Sequence, residues 1–227
     1  PPIANPNPQP QPAHRILGRV TAALDLSAFI KAYDVRGLVP EQLSPEVALA
    51  IGSAFAEVVA RADGSEAVVI GHDMRPSSPE LSRAFADGVT ERGLDVILIG
   101  LASTDQLYFA SGDLDLPGAM FTASHNPAQY NGIKLCRSGA RPVGQDSGLL
   151  EIRDLAQDML GGYASLTSVG ARGRVEERDV LAGYGAFLRS LVDLRGIRPL
   201  KVVIDAGNGM AGHTVPAVLD DAHGLDP

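Results

Sequence analysis

Tryptophan is missing from this chain of 227 residues, aromatic residues make up only 5% of it, and it has a single cysteine, Cys136. With so few rings, a core has to be packed mainly by Ala, Val, Leu and Ile, which the 45% hydrophobic content can supply. A lone cysteine excludes an internal disulfide framework and fits a reducing, cytoplasmic compartment. No apolar run approaches the ~20 residues of a membrane-spanning helix. Basic residues are outnumbered, 19 Lys and Arg against 27 Asp and Glu, for a net charge of −8. A nucleic-acid surface is therefore not expected, and an anionic small ligand would need a few cations gathered locally. His14, His213 and His223 stand apart, with no metal-ligand spacing between them.

What is present organises into alternating strand-like and helix-like segments. The chain opens with PPIANPNPQPQP, six prolines in twelve residues, read as a disordered extension over 1–15. It has no charged region followed by an apolar one, so it is not a signal peptide. Ser44-Pro45-Glu46 is a helix opening of cap, proline and acid. Val47, Ile51, Phe55, Val58 and Val59 then share one helical face. AVVIG (67–71) is a short buried strand. Ser78-Pro79-Glu80 repeats the helix opening, and Arg92-Gly93 closes that helix. DVILIG, the short helix TDQLYFAS and the strand GAMFTA follow, then a helix-rich stretch at 147–160. The first domain spans 16–163, and the Gly- and Ser-rich residues 164–175 are its linker to a second. From 176 to 227 an amphipathic helix led by Asp179, with Leu181, Tyr184, Leu188 and Leu191 on one face, precedes the strand KVVIDA and the turn GNGMAGH. That segment reads as the N-terminal part of a second α/β domain, cut short.

Three patterns compete for a functional reading. Gly207-Asn208-Gly209-Met210-Ala211-Gly212 is a formal dinucleotide fingerprint, with Asp226 near the distance of a ribose-binding acid. Read alone, a turn that starts a helix packed closely on its sheet explains it without a ligand. Asp113 and Asp115 form a possible metal pair, but they lie in a Gly- and Pro-bounded turn with no third ligand nearby. The third pattern is FTASHNPAQYNGIK (121–134), where Ser124, His125 and Asn126 sit in a loop between two strands. A serine hydrolase would place its nucleophile in G-x-S-x-G, which this is not. A serine that carries a phosphoryl group needs cations, donors and an acid/base group, and His125 and Lys134 lie within reach in sequence.

TASHNP followed by YNGIK resembles the phosphoserine loop of the α-D-phosphohexomutases, the phosphoglucomutase/phosphomannomutase family, and within it the bacterial enzymes. Three further stretches agree in order: KAYDVRG (31–37) resembles the N-terminal substrate loop, GHDMRPSSP (71–79) the G-x-D-x-R segment, and VVIDAGNGMAG (202–212) the start of the second domain. The resemblance covers residues 28–220. It implies a mixed-sheet α/β/α domain, followed by the start of a second similar domain. It also implies an enzyme that interconverts hexose 1-phosphate and hexose 6-phosphate, of mannose or glucose, through a hexose 1,6-bisphosphate. Ser124 would carry the phosphate, His125 and Lys134 would lie against the reacting oxygens with Lys134 as proton-transfer group, and Arg36 and Tyr33 would orient phosphate or sugar. The implied cofactor is Mg²⁺, which Ser124 would bind through its phosphate. The family's D-x-D-x-D-R metal loop does not occur in the sequence, so the chain alone is expected to be inactive. Two alternatives remain open: a non-catalytic phosphosugar-binding module, and a nucleotide-binding oxidoreductase. The place of His72 is undecided.

Overall fold

The structure is a computed structural model and describes residues 24–164, 170–193, 198, 200–219 and 225–226. The proline-rich extension, residues 165–169 of the linker, His14 and His223 lie outside the described residues.

Among the described residues there are nine strands and six α-helices. They are β1 (Val35–Leu38), α1 (Pro45–Phe55), β2 (Ala67–His72), α2 (Ser78–Glu91), β3 (Asp95–Leu101), α3 (Thr104–Asp113), β4 (Gly118–Phe121) and β5 (Tyr130–Arg137). Then follow β6 (Arg141–Pro142), α4 (Leu149–Leu160), β7 (Val175–Glu177), α5 (Leu181–Leu191), β8 (Leu200–Lys201), α6 (Ala211–Val218) and β9 (Leu225–Asp226). One mixed sheet has the order β1-β5-β4-β2-β3-β7, with β6 added to β5. β4, β2, β3 and β7 run parallel, while β5 is antiparallel to both β4 and β1.

The period-2 alternation of the strands builds two separate cores. Val68, Ile70, Val96, Ala119, Phe121, Ile133 and Leu135 face a large cluster with α1, α2 and α4. Val69, Ile97, Ile99 and Met120 face the opposite way, onto Leu107 and Ala110 of α3. The sheet is thus covered on both sides, and the expected mixed-sheet α/β/α domain is present. The few aromatics are concentrated: Phe85 stacks between Phe55 (5.8 Å) and Phe121 (5.6 Å, edge to face). Those contacts add about 0.5–1.5 kcal/mol per pair to plain burial.

Local signals account for some helix starts, with capping serines at Ser44 and Ser103. The Ser44 hydroxyl accepts from the Val47 amide ahead of Pro45, as a capping serine does. The same reading fails at Ser78. That residue lies inside α2, Ser77 flanks the helix without a side-chain cap, and the Ser78 hydroxyl donates to Asp73 Oδ1 at 2.7 Å. The tertiary partner outcompetes the cap. The expected helix over α1 ends in a wider π turn, Ala56–Ala60, which keeps Val59 buried and leaves Val58 partly so.

Two differences concern the chain beyond α4. β7 carries no apolar pattern, since Val175, Glu176 and Glu177 are all exposed. Backbone pairing to β3 and a cap at Asp95, which accepts from the Arg174 amide at 2.7 Å, hold it in place. Of the expected strand over KVVIDA only Lys201 lies in a strand, Leu200–Lys201, which pairs with β9 among the described residues, and Val203 is 89% exposed. Such an apolar strand needs neighbours on both faces, and the described residues do not supply them. α5 does pack as the pattern predicts at Tyr184, against Phe109 of α3 (5.9 Å), but Leu191 is exposed.

Candidate functional site

The loop between β4 and β5 stands at the carboxyl ends of the central parallel strands, the usual place for a site in an open α/β sheet. Its position follows from register. His72 pairs with Phe121, and the Asp73 amide donates to the Phe121 carbonyl, so the segment after β2 lies alongside the segment after β4. On its other flank β5 pairs with β1, with Arg36 opposite Gly132 and Val35 opposite Ile133. Because side chains alternate, Asp34, Arg36 and Lys134 project from the face opposite the Val35 and Ile133 core. Gly132 lets the three segments meet. A Cβ there would collide with the Val35 carbonyl and lie 2.8 Å from the Thr122 carbonyl.

Ser124 is exposed and has φ +52°, a left-handed conformation that a non-glycine residue adopts at a cost. Its backbone is tied on both sides. Its N–H donates to Thr122 Oγ1 (3.0 Å) and its carbonyl accepts from Arg75 Nη2 (2.8 Å). The His125 ring, also exposed, has Nδ1 3.5 Å from Ser124 Oγ, at the outer limit of a hydrogen bond. Arg36 Nη1 donates to the Ala123 carbonyl (3.2 Å) and to Asn126 Oδ1 (2.6 Å). Asp34 Oδ2 holds Arg36 Nη2 at 2.7 Å and Lys134 Nζ at 3.4 Å, so one carboxylate gathers both cations. These side chains are between 22% and 31% exposed. That is enough for a ligand to reach them, and enough solvent to keep each surface pair worth at most ~1 kcal/mol.

Ser124, His125, Lys134 and Arg36 are therefore brought to one place. Tyr33 takes no part in these hydrogen bonds; its side chain is 81% exposed and stands near Gly144. Several participants had no individual sequence signal: Asp34, Thr122, Asp73, Arg75 and Asn131, while Asn126 stands out only as part of the polar run and Ser78 only as a helix opening. Asp34, Asp73 and Arg75 do lie in the stretches YDVRG and GHDMR, so the motif was the only available pointer. His72 takes no part in the loop hydrogen bonds described above. Its Nδ1 lies 2.9 Å from the Asp73 carbonyl, and its side chain lines a cleft with Arg83 and His213.

A metal finds little here. Among the described residues no group of three or more His, Cys, Asp and Glu could hold an ion, and Asp34 is engaged by two cations. The Asp113–Asp115 turn gains no further ligand either. Cys136 is buried beside Ser111, and burial raises its thiol pKa above the ordinary value.

Residues 28–158 match the family model described as phosphoglucomutase/phosphomannomutase, alpha/beta/alpha domain I. A phosphomannomutase of Vibrio cholerae is 38% identical over 193 residues, covering 84% of this chain and 40% of that protein. A protein of Xanthomonas campestris named for phosphohexose mutases is 43% identical over 191 residues, covering 83% of this chain and 40% of its own length. The crystal structure of a phosphoglucomutase/phosphomannomutase family protein from Burkholderia thailandensis superposes with a TM-score of 0.73 at 34% identity, covering 88% of this chain and 43% of that one. The chain thus spans about 40% of the length of the curated relatives it matches. Fold, family model and relatives agree, and the chain belongs to the phosphoglucomutase/phosphomannomutase family.

Proposed function

We propose that this chain carries the phosphoryl-transferring serine of a phosphohexomutase that interconverts hexose 1-phosphate and hexose 6-phosphate, of mannose or glucose. The observation that carries the reading is Ser124 itself. An exposed hydroxyl is held at an unfavourable φ by a loop tied down through its backbone, with His125 next to it and with Arg36 on the loop, joined through Asp34 to Lys134. A structural turn has no need of that arrangement; a group that must meet a substrate in one orientation does.

In the proposed reaction a sugar hydroxyl attacks the phosphorus on Ser124. The new oxygen–phosphorus bond forms as the Ser124 Oγ–phosphorus bond breaks. Lys134 takes the proton of the attacking hydroxyl and returns it to Ser124 Oγ. The hexose 1,6-bisphosphate so formed turns over, and its other phosphoryl group passes back to Ser124 by the same step in reverse. Arg36, with its planar fork, and His125 orient the phosphoryl oxygens and stabilise their charge. Mg²⁺ is the proposed cofactor of the whole protein, supplying further charge neutralisation. The described residues offer it no carboxylate set, so nothing above runs through it, and the chain alone is expected to be inactive. No helix of the described residues is long and apolar enough to cross a membrane. Hexose phosphates, rather than nucleic acid or membrane, are the proposed partners, and the unpaired Cys136 supports a reducing cytoplasm.

Peptide mass spectrometry after incubation with a hexose 1,6-bisphosphate and Mg²⁺ should find phosphate on Ser124. In the full-length protein, Ser124→Ala should remove mutase turnover in a coupled assay while the protein stays folded. Phosphate confined to other residues, or turnover unchanged in Ser124→Ala, refutes the assignment. Binding of phosphosugar without turnover by the full-length protein favours a non-catalytic module instead.

A further inference from the structure

We propose that Arg75 is a positioning residue: it sets the conformation of the Ser124 loop through the loop's carbonyls and does not itself bind the ligand. The kinetic part of this inference rests on the mutase reading above, while the structural part stands without it.

A guanidinium has five N–H donors in a fixed plane. Arg75 commits four of them to carbonyls of one loop. Nη1 donates to Pro127 and Tyr130, both at 2.9 Å, and Nη2 donates to Ser124 and Asn126, both at 2.8 Å. The fifth, on Nε, faces Asp73 Oδ2 at 3.3 Å, an ion pair without hydrogen-bond geometry. The side chain is only 10% exposed. Nε is itself buried, so no exposed donor is left for a phosphate or a sugar. Arg36 differs, because its Nε and one Nη2 hydrogen are not used in the bonds described above, and its side chain is 24% exposed.

Arg75 is in turn fixed from behind by buried groups. Asp73, 5% exposed, accepts from the Arg75 amide (3.0 Å) and from the Ser78 hydroxyl (2.7 Å) through Oδ1. Asn131, fully buried, donates through Nδ2 to Ser77 and Ser78, each at 2.9 Å, and accepts the Gly132 amide through Oδ1. The end of β2, the start of α2 and the start of β5 are therefore joined behind the loop. Loop carbonyls that would otherwise be solvated point inward onto one cation, and that cation is neutralised by Asp73. Pulling the carbonyl of Ser124 inward, with its N–H on Thr122, leaves the residue little freedom other than the observed φ.

The conservative variant separates a brace from a ligand. Arg75→Lys keeps the charge, so a role in holding phosphate would be partly preserved. An ammonium has three donors at one point and cannot span four carbonyls. The test compares wild type, Arg75→Lys and Asp73→Asn in the full-length protein, by amide hydrogen exchange and by steady-state kinetics. In Arg75→Lys, exchange across residues 123–130 should quicken while α1 and β3 keep their wild-type protection. Turnover should fall by about 10²-fold, as expected for a misplaced reacting group, with KM near the wild-type value. Unchanged exchange in the loop overturns the proposal, as does a raised KM at wild-type kcat, which would mean that Arg75 touches the ligand. Should Arg75→Lys fail to fold, Asp73→Asn gives the same loop comparison. If the wild type neither carries phosphate on Ser124 nor turns over hexose phosphates, the mutase reading fails, and the exchange comparison alone decides the brace.

Discussion

Ser124 stores backbone strain, and two variants that differ by one methyl group measure it. At φ +52° a residue with a Cβ is penalised by about 1–2 kcal/mol relative to the right-handed region. Ser124→Ala keeps that penalty. Ser124→Gly relieves it but loses roughly 0.5–1 kcal/mol through the greater freedom of glycine in the unfolded chain. The side chain adds little to either side of the comparison, because it is exposed and its hydroxyl has only the 3.5 Å contact with His125. Ser124→Gly should therefore be more stable than Ser124→Ala by about 0.5–1 kcal/mol. For a chain of this size that corresponds to roughly 1–4 °C in melting temperature. Thermal unfolding followed by circular dichroism, with urea titrations at 25 °C to check that the slopes agree, gives the number. A glycine variant that melts below the alanine variant would show that no strain resides at 124, and the argument from strain to function would collapse. Both variants lack the hydroxyl and should be equally unable to accept phosphate. The serine would then be the less stable choice that chemistry requires.

Two other perturbations act further from the hydroxyl. Gly132→Ala places a methyl group against the Val35 and Thr122 carbonyls, so urea unfolding should show a loss of about 1–3 kcal/mol, and loop protection in hydrogen exchange should fall with it. The Asp95 carboxyl is held below its usual pKa chiefly by the Arg174 amide, so its stabilisation of β7 is present above the unfolded value near 3.8 and is lost as pH falls through the lower folded value. Exchange at β7 should accelerate across that acidic window in the wild type and lose this pH dependence in Asp95→Asn, whereas identical profiles would remove Asp95 from the account.

What the sequence revealed divides by the range of the contacts involved. The α1 start at Ser44-Pro45, the AVVIG strand and the face of α5 that seats Tyr184 depend on neighbours a few residues away, and the pattern contains them. TASHNP was legible as a loop between two strands, and the family resemblance, not the pattern alone, marked it as a candidate site. Arg75 was visible only as a letter in GHDMR, and its partners lie 49 to 55 residues further on. No local pattern says that the loop after β2 will lie against the loop after β4; that depends on β2 and β4 pairing in parallel with His72 beside Phe121. Ser78 shows the same limit in reverse. Its sequence context is that of a helix cap, and a buried carboxylate claimed it instead. β7 was illegible for a third reason: its side chains face water, and only backbone pairing makes it a strand.

The two arginines beside Ser124 make the division of labour in the site physical. Both are cations within hydrogen-bond reach of the same loop, and net charge alone would assign them the same role. What separates them is how many donors remain. Arg75 is saturated by carbonyls and neutralised by a buried aspartate, so its charge is spent within the protein. Arg36 and Lys134 share one partly exposed carboxylate, Asp34, whose single charge cannot neutralise both. The pair is therefore only partly compensated on the face of β1 and β5, where Arg36 reaches the Ser124 loop at Ala123 and Asn126. Under the proposed reading, a dianionic phosphoryl group would meet cations that are already oriented and only partly compensated, so little reorganisation would be needed on binding. On that proposal an acidic protein would attract an anion here because the compensation is uneven at a scale of a few ångströms, well inside the ~10 Å over which salt screens charge.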